Sequence, residues 1–145
     1  MNETATSATP APLAFLMLGA VHEMEAQLES TLGRVGLSLA KFGVLAKLAE
    51  AGEPLALSCL ADRCSCVRSN MTQLVDRLEA DKLVERVDDP NDRRSIKAVL
   101  TREGRSRYEE GVLLLDEAER EVFSRLADPE RATLSRLLRT LKKNP

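Results

Sequence analysis

Two adjacent arginines, Arg93 and Arg94, close the run "DDPNDRR" at residues 88–94, directly before the alternating segment "SIKAVLT". A guanidinium is a planar, permanently charged fork of donors that suits phosphate oxygens and base edges. Asp92, two residues before Arg94, can hold such a fork in one plane. Upstream, "RSNMTQLVDRLEA" at 68–80 sets Met71, Leu74, Val75 and Leu78 at i, i+3, i+4 and i+7. That stripe must face a core. The opposite face is then Ser69, Thr72, Gln73, Asp76 and Ala80, flanked by Asn70 and Arg77, with Arg68 at the start. Short side chains that both donate and accept hydrogen bonds can read base edges, and arginines can meet phosphates. Asp76 is the awkward member, because a carboxylate repels phosphate unless Arg77 or another arginine pairs with it.

Other reactive side chains are scarce. The chain has one His, three Cys, one Tyr and no Trp, which leaves little material for acid–base or metal chemistry and argues against an enzyme. No cofactor is expected. Cys59, Cys64 and Cys66 are odd in number and clustered, unlike the framework of a small secreted fold, and imply a reducing compartment. With a single distant His22 they lack four zinc ligands, so no metal is expected. Cys64 and Cys66 fall at positions that read as core fillers. Cys59 points away from Leu57, Leu60 and Ala61 and is expected to be exposed. Arg63, one turn on, could stabilise its thiolate, which makes the three thiols candidates for redox sensing as well.

The elements that position these groups follow from spacing and punctuation. At 145 residues and a net charge of −2, the chain suffices for one core. Its acidity is local: Glu109, Glu110, Asp116, Glu117, Glu119 and Glu121 crowd one stretch, whereas Arg63, Arg68 and Arg77 occupy the middle. Residues 1–12 are small and polar and read as a disordered tail; 13–145 read as one domain. "LAFLMLGAV" lacks the basic flank of an export signal, and no run approaches the roughly 20 apolar residues that span a bilayer. A cytoplasmic protein without membrane contact is expected.

From Leu13 a first helix carries Leu16, Val21, Met24, Leu28 and Leu32 and ends near Gly33 or Gly36. Ser38 can cap a second helix, stopped by "AGEP" at 51–54. A third, short helix carries Leu57, Leu60, Ala61 and Cys64, and the helix at 68–80 follows. "LVERV" and "SIKAVLT" read as two strands, joined by a loop of about seven residues, longer than hairpins usually need. Thr101 can cap a long helix from about Arg102 to Leu126, and Asp128 can cap a last one with Pro129 at its first position.

A short helix, a tight turn, a helix with a free polar face and a hairpin tipped with arginines form a winged helix-turn-helix. In this order, from about Leu37 to Gly104, the chain resembles the MarR family of transcription regulators. "DPNDRRSIKAVLT" followed by Gly104 carries the most specific likeness, to that family's wing signature. The fold implied is mostly α with a small β-hairpin wing, six helices, dimeric. The function implied is that of a sequence-specific DNA-binding regulator, a repressor released by a small phenolic or anionic ligand or by cysteine oxidation. Contacts to double-stranded DNA fall on Arg68, Ser69, Asn70, Thr72, Gln73, Arg77, Arg93 and Arg94. The likeness makes Arg94 the minor-groove residue and Asp92 its support. His22 is a candidate ligand contact. Lys82 stands where the family usually has Gly, which in a left-handed turn costs roughly 1–2 kcal/mol.

Wide apolar stripes on the terminal helices point to a homodimer through Leu13, Leu16, Val112, Leu115, Val122, Leu134, Leu138 and Leu141. Residues 37–101 then form the winged helix-turn-helix and 13–36 with 102–145 the dimerisation helices, which implies a pseudo-palindromic DNA site. The rival reading is a winged-helix protein-interaction module without site-specific DNA binding.

Overall fold

The computed structural model describes residues 10–64 and 68–142. Helix α1, Leu13–Gly33, ends where Gly36 takes a φ of 70°. That left-handed step lets the Leu37 N–H reach the Leu32 carbonyl at 3.0 Å, closing the helix end with a hydrogen bond and two buried leucines. Helix α2, Leu39–Ala51, starts as its sequence implies, with Ser38 Oγ accepting from the Lys41 N–H at 3.1 Å. Gly52 ends it, again left-handed at φ 65°.

A strand follows that periodicity could not show: β1, Leu55–Ala56, leads into α3, Leu57–Arg63. Helix α4 spans Arg68–Ala80, β2 Val84–Asp89 and β3 Asp92–Leu100. All pairs are antiparallel in the order β1-β3-β2, with Leu55 opposite Ala98 and Val84 opposite Leu100. So β1 covers the edge of β3 that the hairpin leaves open, which satisfies backbone groups that would otherwise invite a foreign strand.

The core holds Leu32, Leu45, Leu60, Met71, Leu78 and Leu83, all fully buried, and extends to Val75, Val84 and Ala98. It is the core of the winged-helix unit, so α4 is fixed from behind by its own apolar stripe. Alternation along β3 puts Ile96 on the same face as buried Ala98, yet Ile96 is 45% exposed. There the hairpin has run past the core.

Helix α5, Arg102–Phe123, is capped by Thr101, whose Oγ1 accepts from the Gly104 N–H at 2.9 Å. It stops at Phe123 rather than near Leu126, where Ser124 turns its hydroxyl back onto the Glu121 carbonyl. Arg107 on α5 donates to the Val35 carbonyl at 2.7 Å and pairs with Glu103 at 3.1 Å, tying α5 to the end of α1. Phe42 stacks on Tyr108 at 5.4 Å between centroids, joining α2 to the same helix.

Helix α6, Asp128–Leu141, starts one residue earlier than the capping signal implied. Ala127 holds the N-cap position and offers no side-chain cap, while Glu130 accepts from the Ala127 N–H at 3.1 Å. Asp128 lies inside the first turn and pairs with Arg131, so its carboxylate meets the positive helix end from within. No residue of α6 is buried.

Candidate nucleic-acid interface

Helix α4 presents the polar face its stripe demanded. Met71, Val75 and Leu78 are buried, and Asn70, Thr72, Gln73, Asp76 and Arg77 are exposed on the other side. Cys66 and the side chains of Arg68 and Ser69 lie outside the described residues.

The wing is tighter than expected. In place of a loop over 88–94, β2 continues to Asp89 and β3 begins at Asp92, with a shift in register between Asp88 and Asp89. Two aspartates make this turn. Asp89 Oδ1 accepts from the Asn91 N–H at 2.9 Å, and Asp92 Oδ1 accepts from the Arg94 N–H at 3.0 Å. Each carboxylate satisfies a main-chain donor two residues on, as short acidic side chains do in turns. Lys97 sits 3.7 Å from Asp89 across the hairpin and offsets its charge.

Asp92 therefore supports Arg94 differently from the planar fork expected. It fixes the main chain of Arg94, and the Arg94 guanidinium forms no ion pair among the described residues. Arg93 and Arg94 are both exposed on the first residues of β3, with their charges turned to solvent.

Asp76 finds its partner in Arg86, a residue the sequence reading passed over. Arg86 Nη2 lies 2.5 Å from Asp76 Oδ1 and Nη1 lies 3.1 Å from Glu79 Oε1. The Arg86 N–H donates to Glu79 Oε2 at 3.2 Å, and Nη2 reaches the Thr72 carbonyl at 3.5 Å. The Arg86 pKa is raised above the ordinary arginine value, first by the hydrogen bond to Asp76. Partial burial opposes that rise, and the charges of Asp76 and Glu79 add to it. A signal was available: alternation in β2 places Arg86 on the side of buried Val84, facing α4.

The end of α4 is also fixed. Lys82 adopts the left-handed conformation at φ 61°, with its N–H on the Glu79 carbonyl at 2.9 Å and the Leu83 N–H on the Leu78 carbonyl at 2.9 Å. The glycine-type turn is thus kept with a lysine in it. Asp81 pairs with Lys41 at 2.7 Å, pinning this corner to α2.

Cys64 packs against the core as a filler would, whereas Cys59 differs from expectation. Cys59 is half-buried and packs against the core beside Leu57 and Leu60 of the same helix. Among the described residues, no three His, Cys, Asp or Glu side chains converge as a metal site would need. No described helix is long and apolar enough to cross a membrane. His22 is exposed on α1. Leu13, Leu16, Val112, Leu138 and Leu141 are exposed, whereas Leu115, Val122 and Leu134 are half-buried.

Comparison with known proteins places this geometry. Residues 37–96 match the model of the MarR family. The uncharacterised HTH-type regulator YsmB of Bacillus subtilis is 36% identical over 74 residues, a match that spans 51% of this chain and 51% of that relative. The chain thus aligns with about half the length of this curated relative. Among solved structures, a mutant MarR from E.coli complexed with operator DNA superposes with a TM-score of 0.82 at 26% identity, covering 92% of this chain and 95% of that one. Bordetella bronchiseptica BpsR, whose DNA binding is regulated by 6-hydroxynicotinic acid, superposes with a TM-score of 0.82 at 27% identity, covering 93% and 96%.

Proposed function

We propose that the chain is a DNA-binding transcriptional regulator of the MarR type, acting as a repressor in the cytoplasm where its operator lies. Family and fold are those of a regulator rather than an enzyme. One observation carries the reading: α4 exposes a polar face and the wing exposes Arg93 and Arg94, on a chain that superposes over 92% of its length on a mutant MarR bound to operator DNA. In this reading Asn70, Thr72, Gln73 and Arg77, with Arg68 and Ser69, enter the major groove. Arg94 enters the minor groove, and Arg93 meets a phosphate.

Residues 37–101 form the reading unit, and 13–36 with 102–145 the dimerisation helices. Support comes from the surface of α1 and α6, where Leu13 is 83% and Leu141 67% exposed, with Phe15, Leu16, Leu18 and Leu138 also in solvent. Large apolar side chains this exposed on two helices call for a cover. A second copy related by a two-fold axis would cover it and would set two α4 helices on a pseudo-palindromic site. A small anionic or phenolic effector would then release DNA by favouring a dimer of different α4 spacing, as its likeness to BpsR suggests.

Selection of bound sequences from a random duplex pool tests this, followed by affinity measurements across a salt series. An inverted repeat should be enriched. Its affinity should fall with salt by about 0.9 log units per log unit for each phosphate neutralised. Failure to enrich any sequence would leave the protein-interaction module as the better reading.

A further inference from the structure

The pairing of Asp76 with Arg86 bears on what α4 can read. A carboxylate on a helix that approaches a polyanion is repelled, so its presence there calls for a compensating cation and a use. Arg86 is the cation. It grips Asp76 Oδ1 at 2.5 Å and Glu79 Oε1 at 3.1 Å, yet the Asp76 side chain stays 58% exposed, on the face that also exposes Thr72 and Gln73. A carboxylate has about four acceptor sites, and one hydrogen bond from Arg86 leaves the rest for a donor from outside. The grip also holds the group in one orientation, which removes much of the entropy lost on contact.

We propose that Asp76, oriented by Arg86, is a specificity-determining residue that accepts a hydrogen bond from the N4 amino group of cytosine in the major groove. The choice of base follows from the groove edges. Guanine offers N7 and O6, both acceptors, and thymine offers O4 and a methyl group, so each repels or ignores a carboxylate. Adenine has a donor at N6 but holds the N7 acceptor beside it. Cytosine alone presents a donor without a neighbouring acceptor. Arg86 is then a positioning residue: it keeps Asp76 from repelling phosphates and directs it, without touching DNA itself. The inference rests on the reading of the chain as a DNA-binding regulator.

The test uses the full chain as wild type, Asp76→Asn and Asp76→Ala. Asp76→Asn keeps an oxygen for Arg86 and replaces the other acceptor by a donor, and Asp76→Ala leaves Arg86 its bond to Glu79, so thermal unfolding should show both folded. Duplexes selected by the wild type should carry a cytosine at one symmetric position of each half-site. Changing that cytosine to thymine should weaken wild-type binding about tenfold and the variants less than about twofold. An enriched site whose cytosine matters equally to all three proteins would overturn the proposal and leave the DNA-binding reading standing. Uniform loss of affinity by the variants on every duplex would do the same, giving Asp76 a structural role alone. No enriched site for the wild type would sink both.

Discussion

Thr101 donates its hydroxyl proton to the main-chain carbonyl of Lys82 across 2.7 Å. The same oxygen caps α5 by accepting from Gly104, so one side chain joins the left-handed turn after α4 to the start of α5. The turn is therefore held from outside while its own residue opposes it. An L side chain in that conformation costs roughly 1–2 kcal/mol, of which glycine would give back about half through its freer unfolded chain. Lys82→Gly should accordingly raise stability by about 0.5–1 kcal/mol, read as a higher urea midpoint at unchanged slope. A lower midpoint would mean that Lys82 makes a compensating contact in solution.

Gly104 is placed by the same corner. A Cβ built there would run into the carbonyl of Leu83, whose oxygen also accepts from the Thr101 N–H at 3.1 Å, and would press on Leu100. Backbone cannot step aside as a side-chain tip can. Gly104→Ala should destabilise by about 3 kcal/mol, the upper end for overpacking. Chemical denaturation of this variant beside Gly43→Ala, where nothing lies within 4 Å, separates the clash from a plain change in helix propensity.

Much of this corner could be read from residue types alone, and the reason is local. Ser38 and Thr101 cap helices because their side chains reach main-chain donors three residues on. The stripe Met71, Leu74, Val75 and Leu78 settles which face of α4 is free, since only one face can meet the core. What escaped the sequence depends on partners far along the chain. Leu55–Ala56 is too short to show a period and exists as a strand because β3 offers an edge. Arg86 lies ten residues from Asp76, and only the fold of β2 onto α4 brings the two together. By sequence the wing reads as a long loop, because Asp, Pro and Asn all signal turns. Two of those aspartates instead spend their oxygens on Asn91 and Arg94 and leave a turn at Pro90 and Asn91.

That geometry changes what substitutions in the wing should do. If Asp92 acts through the Arg94 main chain, an amide oxygen can replace the carboxylate. Asp92→Asn should then bind a selected operator within about twofold of wild type, and Asp92→Ala more weakly. Arg94→Ala should lose about 1–3 kcal/mol of specific binding, the scale of a good groove contact. Arg93→Ala should weaken binding to all sequences alike and lower the salt slope by about one. Fluorescence anisotropy on one duplex over a salt series measures all four. Loss of affinity in Asp92→Asn equal to that in Asp92→Ala would show that charge on Asp92 matters, as in a fork with the guanidinium.

Leu16 on α1 and Leu138 on α6 lie outside the core, the first 56% and the second 44% exposed. A charge at either site takes nothing from the packing of the winged-helix unit, whose buried cluster runs from Leu32 to Ala98 within one chain. It would, however, have to be desolvated in any dimer that covers these helices, at several kcal/mol if left unpaired. The double variant Leu16→Asp with Leu138→Asp should keep the helical content of the wild type yet sediment at half its mass. Binding to a palindromic duplex should fall toward that of a half-site, because two linked contacts become two separate ones. A variant that still sediments as a dimer would put the interface on another face of the molecule.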